Sequence, residues 1–369
     1  MKMIDYFDHV ETEKEHNGYH YSIGETITII ILGSFCGLRN VSQIHQWASH
    51  EHTMDFLRDN FGICKIPCYY WMLCLLKIIK PASLNQCFVQ WVESLLASKE
   101  GLTLSLDGKT IRSTCTQKKG SNPLHIISAQ IADMGITLGQ RAVDSKSNEI
   151  PAVQELLREL DISGCLVVAD ALNCQKKTAA QIVKGKADYL LCAKDNQRTL
   201  KESIETYVQD ENLRKEMNTA TTKETGHGRI ECRTAYVTDH ISWLEERKDW
   251  AGLACIGAIR RVVTNSDQET NEEWHYYISS RNLTAEEMLH HARMEWSVET
   301  MHWLLDVHFG EDYSRLQDAD AQKSLNMLRK SVLNHIKLFK QRTGSRRAVS
   351  KIMLDCLLDC NHIMSLFEN

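Results

Sequence analysis

Asp107 and Asp170 each follow directly on an apolar run, Leu102 to Leu106 and Cys165 to Ala169. If those runs are adjacent strands of one sheet, the two carboxylates emerge within a few ångströms of each other. Like charges that close raise each other's pKa unless a cation stands between them, so the pair invites a divalent metal. Taken singly, each aspartate also reads as the start of a turn, where that residue is common. A third acid tips the balance. Along Glu286 to His308, at roughly 100° per residue, Glu295, Glu299, His302 and Asp306 share one stripe, with Met294, Val298, Met301 and Leu305 on an apolar flank. A helix this apolar, with Trp296 and Trp303 besides, is expected to pack on the sheet, so that its acidic stripe cannot all escape burial. The two aspartates and an acid of this stripe then make an oxygen-ligand site for hard cations such as Mg²⁺ or Mn²⁺. Glu311 is the next candidate for the third acid.

The elements that must position these residues begin with a helical region, residues 1–98, in which Ile27 to Phe35 and Tyr70 to Ile79 are long apolar segments. Asn40 or Ser42 is placed to cap the segment carrying Ile44 and Trp47. Pro67 and Pro81 punctuate the region, no clear helix-turn-helix signature occurs in it, and Leu96 to Gly101 marks its end. From Leu102 the period changes. His125 to Ala132 and Ile136 to Val143 form a hairpin about Asp133, Met134 and Gly135. Val153, Leu156, Leu157 and Leu160 take helical spacing, Cys165 to Ala169 reads as a buried strand, Gln175 to Val183 as a helix and Tyr189 to Ala193 as a strand. The order β-β-β-α-β-α-β is that of an RNase H-like mixed sheet, three antiparallel strands followed by parallel ones through helical crossovers. The expected fold class is therefore α/β, a small helical domain followed by this sheet domain over residues 99–369. Residues 196–280 break the alternation and read as a β-rich insertion, with strands at Ile230 to Val237, Cys255 to Val263 and His275 to Ser279. A long helix, Glu286 to His308, and another over Ala321 to Phe339 complete the chain. No internal repeat is evident.

Composition bounds what these elements can do. The 369 residues carry a net charge of −5, which speaks against a protein that simply coats nucleic acid. The charge is unevenly spread: the first sixty residues hold nine acids against four bases, whereas Lys323 to Ser350 has no acid and includes Arg329, Lys330, Lys337, Lys340, Arg342, Arg346 and Arg347. That run reads either as a solvated helix face or as a phosphate-contacting surface. The longest apolar run, Ile27 to Leu38, is too short for a membrane span, and the acidic N-terminus lacks a signal-peptide pattern. Thirteen scattered cysteines suit buried thiols in a reducing compartment, so the expected location is the cytoplasm. Cys64 with Cys68, and Cys356 with Cys360 and His362, lack the spacing of a zinc site. Gly108 to Ser113 lacks the glycines of a phosphate loop, so no nucleotide cofactor is indicated.

Several motifs together resemble one family. Asp107-Gly108-Lys109-Thr110-Ile111-Arg112, Asp144-Ser145-Lys146-Ser147-Asn148-Glu149-Ile150, Asp170-Ala171 with Cys174-Gln175, and Lys194-Asp195-Asn196-Gln197 are similar to the DDE transposases of the H-repeat-associated insertion sequences. His227-Gly228-Arg229 with Glu231 and Arg233, Tyr277 to Ser280, and Trp296 to Asp312 continue the match, and Asp8 to Trp91 resembles that family's N-terminal associated domain. The resemblance implies an RNase H-like catalytic domain with Asp107, Asp170 and Glu299 as its acidic triad, acting on DNA ends. It implies two divalent ions, double-stranded DNA (terminal repeats and target) as partner, and a homodimer in the synaptic complex. Ions about 3.5 to 4 Å apart would activate a water and then a 3′-hydroxyl and stabilise the leaving oxygen, with no covalent protein nucleophile. Lys109, Arg112 and Lys194, at or beyond strand ends, read as phosphate contacts or as ordinary surface bases. Two positions depart from the family pattern: Glu295 stands where a cationic side chain is expected, and Thr300 where asparagine is. Three readings stay open at this point: an active transposase, a catalytically weakened DNA-binding relic, and a nuclease that cuts without joining.

Overall fold

A computed structural model of the chain describes residues 3–13, 21–96, 98–114, 123–143, 149–226, 228–265, 269–314, 316 and 318–367. Asp144 to Asn148 and His227, which belong to the motifs above, lie outside the described residues. The described chain opens with helices α1 (Met3–Phe7), α2 (Ile23–Phe35), α3 (Val41–Ala48), α4 (Glu51–Phe61), α5 (Tyr69–Ile78) and α6 (Pro81–Leu95). α2 is apolar around its circumference and accordingly central, with Thr26 through Phe35 buried. Asn40 caps α3, its side chain accepting from the Gln43 amide at 2.9 Å. α3 can lie close to α2 because Gly33 has no side chain: a Cβ there would stand 2.8 Å from Ile44 Cγ2.

Nine strands form one sheet among the described residues: β1 (Thr103–Ile111), β2 (Leu124–Ile131), β3 (Ile136–Val143), β4 (Leu166–Ala169), β5 (Asp188–Ala193), β6 (Asn218–Gly226), β7 (Arg229–Thr238), β8 (Cys255–Thr264) and β9 (Thr270–Ser279). Their spatial order is β3-β2-β1-β4-β5-β9-β8-β7-β6. β1, β2 and β3 pair antiparallel, with Gly135 supplying the positive φ (67°) of the tight β2–β3 turn. β4 pairs in parallel with β1, and β5 in parallel with β4; α7 (Glu149–Glu159) leads from β3 to β4 and α8 (Lys176–Lys184) joins β4 to β5. After α9 (Arg198–Gln209) and α10 (Glu211–Glu216), the β-rich segment does not fold apart: β9 pairs antiparallel with β5, so β6 to β9 lengthen the same sheet. β6 was not expected from the sequence. Its residues, NTATTKETG, show no apolar alternation because the strand is almost wholly exposed, and its ladder with β7 is a backbone matter.

The remaining helices are α11 (Ala285–Met294), α12 (Ser297–Phe309), α13 (Ala319–Thr343), α14 (Val349–Leu358) and α15 (Asn361–Phe367). α13 is the surprise of the fold. The basic run in the sequence suggested an exposed helix face, yet α13 is buried from Ser324 through Ile336 and packs on α2, α5, α6 and β3. One continuous apolar core consequently joins Phe7 and Ile30 of the helical region, Leu328 and Val332 of α13, and Leu104 and Ile127 of the sheet. Among the described residues no helix is long and apolar enough to cross a membrane.

Candidate active site

β1 pairs in parallel with β4 only as far as Leu106 opposite Ala169. The next residues on the two strands are Asp107 and Asp170, placed side by side where the backbones part. β1 itself runs on beside β2 to Ile111, so Asp107 stands in mid-strand, whereas the sequence suggested a strand end; what ends there is its parallel neighbour. Asp170 turns the chain out of β4, accepting from the Asn173 amide at 3.2 Å and from Asn173 Nδ2 at 2.9 Å. The same Nδ2 donates to Glu149 Oε1 at 3.3 Å, and Glu149 Oε2 lies 3.2 Å from His125 Nε2.

The third acid arrives from a helix laid along β1. Alternate β1 side chains share one face, and they meet successive turns of the segment opposite. Thr103 Oγ1 lies 2.9 Å from His291 Nδ1, Ser105 Oγ donates to the Glu295 carbonyl at 2.9 Å, Asp107 Oδ2 lies 3.4 Å from His302 Nδ1, and Lys109 Nζ donates to Asp306 Oδ1 at 2.7 Å. Glu299 lies along the chain between the second and third of these contacts and is exposed. The single helix expected over Glu286 to His308 is two, because the Glu295 carbonyl is taken by Ser105 and the Glu299 amide turns instead to the Trp296 carbonyl at 3.2 Å. Val298, Met301 and Leu305 pack inward as expected, but Trp296 and Trp303 do not: they are 55% and 60% exposed.

The acids feel one another. Burial, together with Asp170, Glu149 and Glu299, pushes the Asp107 carboxyl up to about 6. Glu295 is pushed up to about 7 by burial and by Asp170, with Lys194 opposing. Burial and the nearby Lys330 and Lys109 hold the His302 imidazole well below its ordinary value, and its buried Nε2 has no hydrogen-bond partner. An oxygen-rich, mutually repelling set of this kind suits a hard divalent cation and offers nothing to a soft one. Among the described residues no three acids or imidazoles converge closely enough to form a ready-made metal cage.

The bases proposed from the sequence divide into four groups. Arg112, whose side chain is 85% exposed beside Asp312, and Lys194, also exposed and close to Glu295, stand open to solvent. Lys337 and Lys340 are half-buried and line, with Thr300 of α12, a cleft of about 430 Å³. Arg329 and Lys330 are 1% exposed, so in this fold neither can reach a phosphate. The physical reason is the central place of α13: Arg329 Nη2 donates to the Arg39 carbonyl at 2.7 Å, and Lys330 Nζ donates to Ser128 Oγ and Gln140 Oε1 at 2.7 and 2.6 Å. Lys109, 12% exposed, is spent on Asp306 and Glu311. Glu311 itself is fully buried between Lys109 and Asn326, which turns it away from the role of third acid. Glu149, Asn173 and His125 were missed as site residues, since spacing marks apolar faces and says little about which polar residue is buried.

Lys330 carries a pH-dependent cost. Burial pushes its ammonium from 10.5 down to about 7, so between those values the unfolded chain binds more protons there than the folded one, and this group's contribution makes stability rise with pH. Urea denaturation at about pH 7 and about pH 9.5 should show the wild type gaining stability relative to Lys330→Met as pH rises. A difference that does not change with pH would mean that the ammonium stays solvated.

Residues 99–335 match the family described as Transposase DDE domain, and residues 4–92 match the DDE_Tnp_1-associated family. The H repeat-associated putative transposase YhhI of Escherichia coli (strain K12) is 29% identical over 96% of this chain and 95% of its own. An uncharacterized protein in the dhlA 3′ region of Xanthobacter autotrophicus is 33% identical over 68% of this chain and 83% of its own. A looser structural likeness, TM-score 0.42 at 10% identity over all of this chain and 79% of the other, is to piggyBac transposase in a synaptic complex with hairpin DNA. With the family matched over most of its length, this chain belongs to the DDE transposases of the H-repeat-associated family.

Proposed function

We propose that this protein cleaves DNA strands at the ends of an insertion sequence and joins them to target DNA, using Asp107, Asp170 and Glu299 on an RNase H-like sheet. The observation that carries the reading is the register that sets Asp107 beside Asp170 under the helix bearing Glu299. These three carboxylates would hold the divalent ions, Mg²⁺ or Mn²⁺. When bound, the ions supply Lewis-acid activation of the attacking oxygen and charge stabilisation of the leaving one.

The chain's own groups do the rest. Asn173 orients the Asp170 carboxylate with two hydrogen bonds. His302, kept neutral, faces Asp107 without competing as a cation for its charge. Arg112 and Lys194 would meet phosphates on either side of the acids, and Lys337 and Lys340 would meet the duplex along the cleft beside α12. DNA ends brought together by a homodimer in the cytoplasm complete the reading; no nucleotide cofactor enters it.

A strand-transfer assay with labelled element ends tests this. A transposase joins the label to target DNA, a nuclease only cuts, and a relic does neither. Glu295, among the acids with Lys194 nearby, sharpens the test. If its charge repels the phosphate, Glu295→His should raise DNA affinity and strand transfer together, by roughly two- to tenfold. Lower activity with a raised metal requirement would show instead that Glu295 is a ligand.

A further inference from the structure

Lys109 read in the sequence as a phosphate contact or an ordinary surface base, and its place in the fold is different. It lies two residues beyond Asp107 on the same face of β1. Asp306 lies seven residues beyond Glu299, two turns along the same side of α12. The ion pair between Lys109 and Asp306, 2.7 Å, sits next to the Asp107–His302 contact, one turn further along α12, with Glu299 two turns back. Lys109 Nζ also holds Glu311 Oε2 at 3.0 Å, just past the C-terminus of α12, and Asn326 of α13 donates to the other oxygen of that carboxylate. Arg39 fixes the same helix end from the opposite quarter, donating to the carbonyls of Val307 and His308 at 2.9 and 3.1 Å. Among the described residues the N-terminal end of α12 is held by no ion pair; there Ser297 Oγ donates to Gln130 Oε1 at 3.4 Å. Its entry residue Trp296 provides no side-chain cap, and the Ser105 contact to the Glu295 carbonyl is a single neutral bond.

We propose that Lys109 is a positioning residue: by joining Asp306 and Glu311 it locks α12 onto β1 and so sets the separation of Asp107 and Glu299. The proposal rests on the reading that those two acids act together. The ladder has only four rungs, and Lys109 forms the one made of charges. Asp306 and the fully buried Glu311 share one ammonium that is itself 12% exposed, and Asn326 holds the other oxygen of Glu311. Removing that ammonium takes the ion pair from Asp306 and the direct ammonium contact from Glu311, and frees the helix end to lift. A lysine bound to DNA would instead present its ammonium to solvent.

The test uses the full chain, first without metal or DNA. Amide hydrogen exchange across residues 299–309 should quicken by at least about tenfold in Lys109→Met, which keeps the aliphatic stem, and by a smaller factor in Asp306→Asn. Mn²⁺ titration should show weaker ion binding by roughly three- to tenfold, while DNA affinity and its salt slope stay as in the wild type. Unchanged exchange in this segment would overturn the proposal, as would a salt slope reduced by about one ion in Lys109→Met, the mark of a phosphate contact. Should Lys109→Met fail to fold, Asp306→Asn carries the same measurements, since it retains the Lys109 to Glu311 pair. If the wild type cuts no DNA, the transposase reading falls, and the exchange measurement still decides the clamp.

Discussion

Asp107→Asn, Asp170→Asn and Glu299→Gln are each expected to lower DNA cleavage by at least about a hundredfold, because each removes one ligand charge and with it several kcal/mol of transition-state stabilisation. The substitutions are close to isosteric, and an asparagine at position 170 retains an oxygen to accept from Asn173. Stability should survive. The Asp107 carboxyl is held up at about 6, from 3.8, by burial and by its acidic neighbours, so the penalty for ionising it in the folded state builds up between those two values and is complete above about 6. Asn removes the penalty, and Asp107→Asn should be no less stable than the wild type at about pH 7.5, the usual signature of a site that trades stability for chemistry. Single-turnover cleavage beside urea denaturation checks both halves. Near-normal cleavage by any one variant would remove that residue from the triad.

The second large effect is on folding. Arg329→Glu is expected to cost at least about 3 kcal/mol, enough to abolish soluble expression or to lower the urea midpoint sharply. The site is 1% exposed, the guanidinium stands 5.6 Å from the centre of the Phe309 ring, and it bonds the carbonyl of Arg39, the residue that holds the C-terminus of α12. A carboxylate there would meet that carbonyl and the field of buried Glu311, which favours the cation now present. Reversing Arg346, exposed in the same basic run, should change stability by no more than about 0.5 kcal/mol. Equal stabilities for the two reversals would return α13 to the surface and restore Arg329 as a candidate for DNA contact. This reverses what the bare charge pattern suggests, in which both arginines would act on DNA affinity and neither on stability.

Much of the sheet and the acids on it could be read without coordinates, for a reason that can be named. Buried strands such as Leu166–Ala169 are continuous apolar runs, the Asp133 to Gly135 turn announces a hairpin, and an aspartate straight after such a run has few places to go. The apolar flank of α12 was legible in the same way. What the sequence by itself determined was therefore the kinds of elements and the order of the acids along them. Tertiary structure alone decided which charges are buried and what they serve. Basic residues on a helix look alike whether the helix is a rim or an axle, and α13 became the axle only because α2, α5 and α6 cover one side of it and β3 another. The break at Glu295 likewise depends on Ser105, 190 residues earlier in the chain, taking a carbonyl that helical spacing alone would leave to Glu299. Periodicity reports a residue's local face, whereas burial of a charge depends on the partners brought to it from distant segments.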